Sequence, residues 1–173
     1  MSLDGFIARP GDNMAWVFKH AGPNPEVDEV IRTTGAVLVG RHSYDVGGRE
    51  GTPPGGRKVY GGAWAGPQFV LTHQAPAGEE DPTIIFLAGD IASAVARARE
   101  AAGGKNVVLI GASVARQCLA AGLVDEILVH LAPVLLGDGV RLYGGQGAAQ
   151  VNLQPLSVTR AGEVTNLRFH VER

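Results

Sequence analysis

The sequence predicts an α/β protein of three layers, with helices on both faces of a mostly parallel sheet and an antiparallel hairpin at its carboxyl end. Short apolar runs of strand length alternate with helix-forming segments along most of the chain. These runs are continuous rather than alternating, which is typical of strands that are covered on both faces. The last two predicted strands, 157–160 and 164–171, flank a short turn that contains Gly162 and therefore form a hairpin.

In the first half of the chain, the pattern predicts one helix and three strands. The helix covers 25–34, because proline is tolerated in a first helical turn and Gly35 follows the segment. Continuous apolar runs predict the three strands at 36–39, 68–72 and 83–87.

The second half begins with the clearest helix signal. Residues 91–102 are rich in helix formers, with Asp90 placed as the amino-terminal cap and Gly103 as the stop. The elements predicted next are a strand at 106–110, a helix from a Ser113 cap to 121, and a strand at 127–136, in which Pro133 indicates an edge, a bulge or a strand end.

One segment, residues 47–66, fits neither pattern. It contains eight glycines together with Pro53 and Pro54. A long irregular stretch inside a compact domain is typical of a functional or mobile loop, here one that could cover a ligand. The alternative is a surface excursion with no role.

Length and composition limit the class of protein. A chain of 173 residues suits a single domain, 1–173, and a net charge of −2 gives no basic bias for nucleic acid. No apolar run is long enough for a membrane span, and the amino terminus has neither the basic nor the apolar part of a signal peptide. The one cysteine, Cys118, lies among apolar residues and excludes a cysteine-based zinc cluster. We therefore expect a cytoplasmic protein without a metal site.

The most informative stretch is the end of the predicted strand at 36–39 and the residues that follow it. Gly40 allows a ligand to approach the backbone closely, and the free N–H groups of an opening helix favour an anion. Arg41 has a planar guanidinium that is suited to phosphate, and His42 provides a second possible donor. Ser43 provides a hydroxyl at the expected helix cap. The pattern indicates a phosphate site. The alternative is a strand-to-helix turn with a surface arginine and a satisfied histidine.

Four segments, taken in order, resemble motifs of the dihydrofolate-reductase-like superfamily, in the branch that contains the reductase domain of riboflavin biosynthesis. The first is S-L-D-G-F-I-A at 2–8, and the second is V-G-R-H-S-Y at 39–44. The third is F-V-L-T-H at 69–73. The fourth is a block made of 110–113, 121–126 and 133–139. The resemblance implies a dihydrofolate-reductase-like fold over nearly the whole chain.

The same resemblance implies a domain that binds NADPH and passes its hydride to a small planar heterocycle, pterin- or pyrimidine-like, or to a carbonyl compound. It places Arg41 nearest the adenosine 2′-phosphate and Thr72 and His73 beside the adenosine. The residues that it implies for the phosphates are Gly40, Arg41, His42 and Ser43 at the first turn, and Gly111, Ala112, Ser113 and Val114 at the second.

Two features depart from the family pattern. Relatives have two adjacent glycines before the pyrophosphate-binding helix, whereas this chain has Gly111 and Ala112, whose methyl group could crowd the ligand. Relatives also carry a central strand before the first motif, which begins here at Ser2. We expect compensation for that strand, for example from a partner subunit.

Reduction of a carbonyl or imine also needs a proton, and several residues are candidates to supply it or to bind the substrate. Asp4 is the first candidate for catalysis, with a simple turn residue as the alternative. Asp28 and Glu29 are the nearest counterparts of the family's substrate-binding acid, or are solvated helix carboxylates. Trp16 could stack on a planar ring or pack in the core, and His130 is interpreted as a core histidine rather than a base.

The leading hypothesis is therefore an NADPH-dependent reductase that acts on a small molecule and forms a homodimer. The alternatives are a non-catalytic NADP(H)-binding domain and a structural, dimerising domain. The zinc deaminase that often accompanies this reductase needs H-x-E and P-C-x-x-C motifs, and neither occurs in the sequence.

Overall fold

The structure, a computed structural model, describes residues 1–49, 58–76, 78, 81–145 and 147–173. Its internal contacts divide the chain into two compact units, one formed by 1–27 with 122–173 and the other by 28–121. We call them the terminal unit and the central unit. The expectation of one domain stays a prediction. Much of the predicted loop at 47–66, namely 50–57, lies outside the described residues.

Nine strands and five α-helices are found in the described residues. The strands are β1 (Phe6–Ala8), β2 (Thr34–Gly40), β3 (Gln68–Leu71), β4 (Ile84–Leu87), β5 (Asn106–Ile110), β6 (Glu126–Leu131), β7 (Val140–Arg141), β8 (Leu153–Ala161) and β9 (Val164–Val171). The helices are α1 (Ala15–Phe18), α2 (Pro25–Thr33), α3 (Arg41–Gly47), α4 (Ile91–Ala102) and α5 (Ala112–Ala120). None of these helices is long and apolar enough to cross a membrane.

The central unit is built on a parallel sheet with the strand order β4-β3-β2-β5. The apolar run of β2 lies in the middle of this sheet, and Val37 and Leu38 are wholly buried. Beside it, the ring of Tyr44 on α3 packs edge-on against Phe86 of β4, with the ring centroids 5.5 Å apart. The prediction of a parallel sheet built from continuous apolar runs is confirmed.

Helix α4 begins and ends as its sequence predicts. The carboxylate of Asp90 accepts a hydrogen bond from the N–H of Ser93 at 2.9 Å, which satisfies one of the free donors of the first turn. At the other end, Gly103 adopts a left-handed conformation with φ of +59°. The buried face consists of Ala94, Val95, Ala98 and Ala102.

The terminal unit contains an antiparallel sheet with the order β6-β9-β8 and a separate antiparallel pair of β1 with β7. Strands β8 and β9 are joined by a two-residue turn at Gly162 and Glu163, which confirms the predicted hairpin. The fold is therefore mixed α/β, with a parallel sheet in one unit and an antiparallel sheet in the other.

The predicted strand at 127–136 is too long, because β6 ends at Leu131. Beyond it, the backbone pairs with the amino-terminal residues of the chain. The N–H of Ala132 donates to the carbonyl oxygen of Met1 at 2.9 Å, and the N–H of Leu3 donates to that of Val134 at 2.8 Å. The Met1 ammonium also donates to the carbonyl oxygen of His130 at 2.7 Å, and burial lowers the pKa of this ammonium.

Two predicted helix caps are also wrong. Helix α5 begins at Ala112 with Gly111 at the capping position, so Ser113 lies inside its first turn. Helix α3 begins at Arg41 with Gly40 at the capping position, so Ser43 is an interior residue of that helix. In both cases glycine, rather than the nearby serine, makes the turn from strand to helix.

Candidate functional site

Three of the segments predicted to bind nucleotide lie at one edge of the parallel sheet. Strands β2, β3 and β5 run in the same direction, so their carboxyl ends meet at this edge. The order in which strands are added to the sheet reverses at β2: β3 and β4 lie on one side of β2, and β5 lies on the other. The reversal therefore falls between β2 and β5. Open α/β sheets bind their ligands at such a reversal, outside the carboxyl ends of the strands.

The turns that follow β2 and β5 are in close contact. A Cβ atom added to Gly111 would lie 2.3 Å from the Oγ atom of Ser43, and Gly111 has a φ of +99°. A Cβ on Gly40 would lie 3.2 Å from a methyl carbon of Val114. Glycine at 111 is therefore required both by its backbone conformation and by the approach of Ser43.

The amino terminus of α5 offers hydrogen-bond donors to a ligand. No side chain in the described part of the chain caps this helix, and its first turn contains no acidic residue. The bond from the Ala115 N–H to the Gly111 carbonyl, at 3.0 Å, closes the first turn, so the N–H groups of residues 112–114 precede the helical ladder. Such an end favours an anion. Ala112 is buried.

The guanidinium of Arg41 is anchored over the end of β3. Its Nε atom donates to the carboxylate of Asp45 at 2.8 Å, and its Nη1 atom donates to the Gln74 carbonyl at 2.9 Å. The hydroxyl of Thr72 donates to the same carbonyl at 2.9 Å. Two of the five guanidinium N–H donors are thus engaged, and the planar group still has donors for a phosphate.

These contacts bring together Arg41, Ser43, Thr72 and the turn at Gly111; the role of these residues as one nucleotide site stays a prediction. His42 and His73 are exposed in the same segments. Cys118, on α5, is buried, and burial raises the pKa of its thiol to about 11. This confirms the interpretation of Cys118 as a small buried residue rather than a nucleophile.

In the terminal unit, the carboxylate of Asp4 accepts hydrogen bonds from two backbone N–H groups. It accepts from the N–H of Gly137 at 2.7 Å and from that of Leu136 at 3.1 Å. Hydrogen bonds from the Ser2 side chain and from these N–H groups lower the pKa of Asp4 to about 2. A proton donor must be protonated at working pH, whereas this carboxyl group is ionised. The catalytic role of Asp4 stays a prediction, and the contacts favour the turn interpretation.

We expect Asp4→Asn to lower the urea midpoint of unfolding at neutral pH, because one acceptor oxygen becomes an amide donor that faces backbone N–H groups. The folded-state pKa of Asp4 lies below the ordinary value of 3.8, so its contribution to stability is present above that value and is lost as pH falls toward about 2. As pH is lowered from 6 to 2, the urea midpoint should therefore fall less steeply in the variant than in wild type. Asp28→Asn, at an exposed aspartate, is the control, and equal slopes for wild type and Asp4→Asn would contradict this account.

The other predicted substrate residues are placed differently. Trp16, on α1, is buried with 5% of its surface exposed, and among the described residues its indole N–H has no hydrogen-bond partner. An unpaired buried donor is costly and is available to a ligand acceptor. Asp28 is exposed on α2, and Glu29 is half-buried on the same helix. Their roles in binding stay predictions.

The polar surroundings of His130 are the feature that the sequence does not indicate. His130, on β6, contacts Asn166 on β9, which is paired in turn with Asn24. In the sequence, the only signal for these surroundings is that polar residues interrupt apolar strands. Their meeting depends on strand register, because His130 and Asn166 are opposite each other in the β6–β9 ladder.

Comparisons with known proteins agree with this architecture. A protein of Bacillus subtilis (strain 168), "Uncharacterized protein YyaP", is 24% identical over 147 residues, which cover 83% of this chain and 76% of that protein. A solved "Putative riboflavin biosynthesis protein" from Shewanella sp. PV-4 is 23% identical with a TM-score of 0.76, and the match covers 100% of this chain and 96% of that one.

A third match is a two-activity protein of Thermotoga maritima, a diaminohydroxyphosphoribosylaminopyrimidine deaminase/5-amino-6-(5-phosphoribosylamino)uracil reductase. It is 15% identical with a TM-score of 0.65, and the match covers 98% of this chain but 54% of that one. The chain thus spans about half the length of that relative.

The parallel sheet, the antiparallel hairpin sheet and these structural matches define an α/β protein with a dihydrofolate-reductase-like fold. The family model of the RibD C-terminal domain matches residues 1–167. The chain belongs to that family. Its relatives include reductases of riboflavin biosynthesis.

Proposed function

We propose that this protein is an NADPH-dependent reductase that transfers a hydride to a small planar heterocycle, pyrimidine- or pterin-like, or to a carbonyl compound. The observation that carries the proposal is the meeting of Ser43 and Gly111 at the carboxyl edge of the parallel sheet, beside the uncapped start of α5. Donors from two turns and a guanidinium then lie at the same edge of the sheet, which suits a ligand with several phosphates.

The residues of this edge fit NADPH by their chemistry. The N–H groups of residues 112–114 would hold the pyrophosphate, and Arg41 would pair with the adenosine 2′-phosphate. Thr72 and His73 would border the adenosine. When bound, NADPH supplies the hydride, while the protein orients it, excludes water and provides for the proton. The buried methyl group of Ala112 is compatible with this arrangement.

The substrate class is proposed from the relatives. The name of the Thermotoga maritima protein specifies a reductase of 5-amino-6-(5-phosphoribosylamino)uracil. We extend the class of that substrate, an aminopyrimidine with a polar substituent, to this chain. Trp16 could contribute its unpaired indole N–H to a substrate acceptor, because that donor has no partner within the described residues.

Two measurements test the function. NADPH and NADH are titrated by nicotinamide fluorescence, and pterins, aminopyrimidines and simple carbonyl compounds are then screened for loss of nicotinamide absorbance. We expect NADPH to bind more tightly than NADH and one of these compounds to be reduced. NADPH binding without turnover on a broad panel would favour the non-catalytic nucleotide-binding alternative. No binding of either nucleotide would contradict the proposal.

We also propose that the protein is a homodimer, with β8 at the interface. In the described part of the chain, β8 pairs only with β9, and its side chains Leu156 and Val158 are 49% and 66% exposed. A long edge strand with exposed apolar side chains is typical of an association surface. Sedimentation should show a dimer for the wild type and a monomer for Leu156→Lys with Val158→Lys. Leu135→Lys, at an exposed leucine elsewhere in the unit, is the control, and a monomeric wild type would contradict the proposal.

A further inference from the structure

The guanidinium of Arg41 is held at two of its nitrogen atoms by groups from two different elements of the central unit. Its Nε atom lies 2.8 Å from each carboxylate oxygen of Asp45, one turn further along α3. Its Nη1 atom donates to the carbonyl oxygen of Gln74, in the turn that follows β3, at 2.9 Å. Because a guanidinium is planar and rigid, these two anchors fix both its position and its plane.

The Gln74 carbonyl is itself held in place by Thr72. The hydroxyl of Thr72 donates to this carbonyl at 2.9 Å and accepts from the Gln74 N–H at 3.2 Å. The N–H of Thr72 donates to the carbonyl oxygen of Leu87, at the end of β4, at 2.9 Å. A carbonyl oxygen has two lone pairs, so it can accept from Thr72 and from Arg41 at the same time. The second anchor of Arg41 is therefore tied to the ends of β3 and β4.

The two anchors leave the tip of the arginine side chain available to a ligand. Asp45 and Gln74 accept from Nε and Nη1, and no residue in the described part of the chain accepts from Nη2. The remaining donors, on Nη1 and Nη2, can pair with the oxygens of a phosphate. The Arg41 side chain is 36% exposed, so these donors can be reached from solvent. The guanidinium is thus oriented before any ligand binds.

The benefit of Asp45 to an anionic ligand has to come from order rather than from charge. A carboxylate next to a phosphate site repels the ligand, so its charge alone would weaken binding. An unanchored arginine side chain has many rotamers and loses that freedom when a ligand immobilises it. Immobilising one such side chain lowers affinity by about two- to twelvefold. A guanidinium that the protein already holds avoids this loss.

We propose that Asp45 and Thr72 are positioning residues, which hold Arg41 in the orientation that binds the adenosine 2′-phosphate; this inference rests on the proposed function. Asp45 acts through its direct bond to Nε, and Thr72 acts through the Gln74 carbonyl. Together they determine the preference for NADPH over NADH, although neither donates to the phosphate. The Thr72 hydroxyl then serves the arginine rather than the adenosine.

The first test compares two substitutions of Asp45 by fluorescence titration of NADPH and NADH. Asp45→Ala should weaken NADPH binding by about two- to twelvefold and leave the affinity for NADH unchanged. Asp45→Asn keeps an acceptor oxygen for Nε and removes the repulsive charge, so its preference for NADPH should be at least that of wild type. Glu100→Ala, which removes an exposed carboxylate on α4, is the control. An Asp45→Ala variant that binds NADPH as tightly as wild type, or more tightly, would overturn the role of Asp45.

The same titrations distinguish the two roles of Thr72. Thr72→Val keeps the shape of the side chain and removes its hydroxyl. If the hydroxyl positions Arg41, this variant should weaken NADPH and leave NADH unchanged. A direct contact with the adenosine would weaken both nucleotides equally, because both contain it, and that result would overturn the positioning role. Thr83→Val removes a hydroxyl that closes another turn, through a bond of 2.6 Å to Asp81, and should match wild type.

Two further measurements test whether both residues act through the arginine. In an Arg41→Ala background, neither Asp45→Ala nor Thr72→Val should lower the affinity for NADPH further, because no guanidinium remains to be positioned. A further loss in that background would overturn the inference. Without any nucleotide, the NMR signal of the Arg41 Nε–H group should exchange slowly with water in wild type and faster in Asp45→Ala. Equal exchange in the two proteins would show that Asp45 does not order the side chain.

Failure of this inference can be told apart from failure of the function on which it rests. A wild type that binds neither nucleotide, or binds both equally, overturns the assignment of the 2′-phosphate and the positioning roles together. A wild type that prefers NADPH and loses that preference in Arg41→Ala, but keeps it in Asp45→Ala and Thr72→Val, overturns only the positioning roles.

Discussion

Arg41→Ala is expected to weaken NADPH binding by about 1.5–3 kcal/mol, roughly 10- to 150-fold, while leaving the affinity for NADH nearly unchanged. The reason is the phosphate that distinguishes the two nucleotides. Arg41 is anchored by Asp45 and by the Gln74 carbonyl and keeps donors free for a charge-assisted pair with that phosphate. Parallel fluorescence titrations of the two nucleotides measure the difference directly.

The fold should tolerate this substitution, which makes the binding result interpretable. The pair of Arg41 with Asp45 joins residues four apart on a helix, and both side chains are partly exposed. Such pairs contribute about 0.3–0.5 kcal/mol to stability. Arg97→Ala, at an exposed arginine on α4, is the matched control for the loss of one positive charge. Equal losses for NADPH and NADH in Arg41→Ala would refute the assignment of the 2′-phosphate.

Gly111→Ala should damage both stability and nucleotide binding. Its φ of +99° is unfavourable for alanine, and the new Cβ would lie 2.3 Å from the Ser43 Oγ atom. Backbone strain of this kind costs about 1–3 kcal/mol, to which the displacement of Ser43 adds. The same turn presents the first N–H groups of α5. We therefore expect NADPH affinity to fall at least tenfold, which corresponds to a loss of binding free energy of about 1.4 kcal/mol. Urea unfolding and nucleotide titration measure the two effects.

The contact between the two turns can be tested by a double-mutant cycle. Ser43→Ala removes the Oγ atom that meets the new methyl group, so the double variant should be more stable than the sum of the single effects predicts. A favourable coupling of about 0.5–3 kcal/mol is expected for residues in contact. Gly103→Ala is the control, since Gly103 is left-handed but an added Cβ meets nothing within 4 Å. Additive effects at 43 and 111 would contradict the contact.

The central unit was largely predictable from local sequence. Helix α4 has its cap at Asp90 and its stop at Gly103 because both signals act within a few residues of the helix. The apolar run before Gly40 predicts β2 for a similar reason, since burial on both faces selects continuous apolar residues. The turns after β2 and β5 lie where the sequence predicts them, but their glycines, rather than Ser43 and Ser113, occupy the capping positions. The role of these turns in nucleotide binding stays a prediction.

Contacts between distant residues account for what the sequence did not predict. The apolar pattern continues past Leu131, but the backbone of 132–134 pairs with Met1 and Leu3 instead of extending β6. The carboxylate of Asp4 binds N–H groups more than 130 residues away. The network around His130 depends on the register of β6, β9 and β8, which local propensity does not determine.

The most direct test of the central claim is a crystal structure of the protein with bound NADP⁺. We expect the pyrophosphate oxygens to accept hydrogen bonds from the N–H groups of residues 112–114, with the adenosine 2′-phosphate against Arg41. A nucleotide bound elsewhere on the chain, or a carboxyl edge that stays free of nucleotide at saturating NADP⁺, would contradict it.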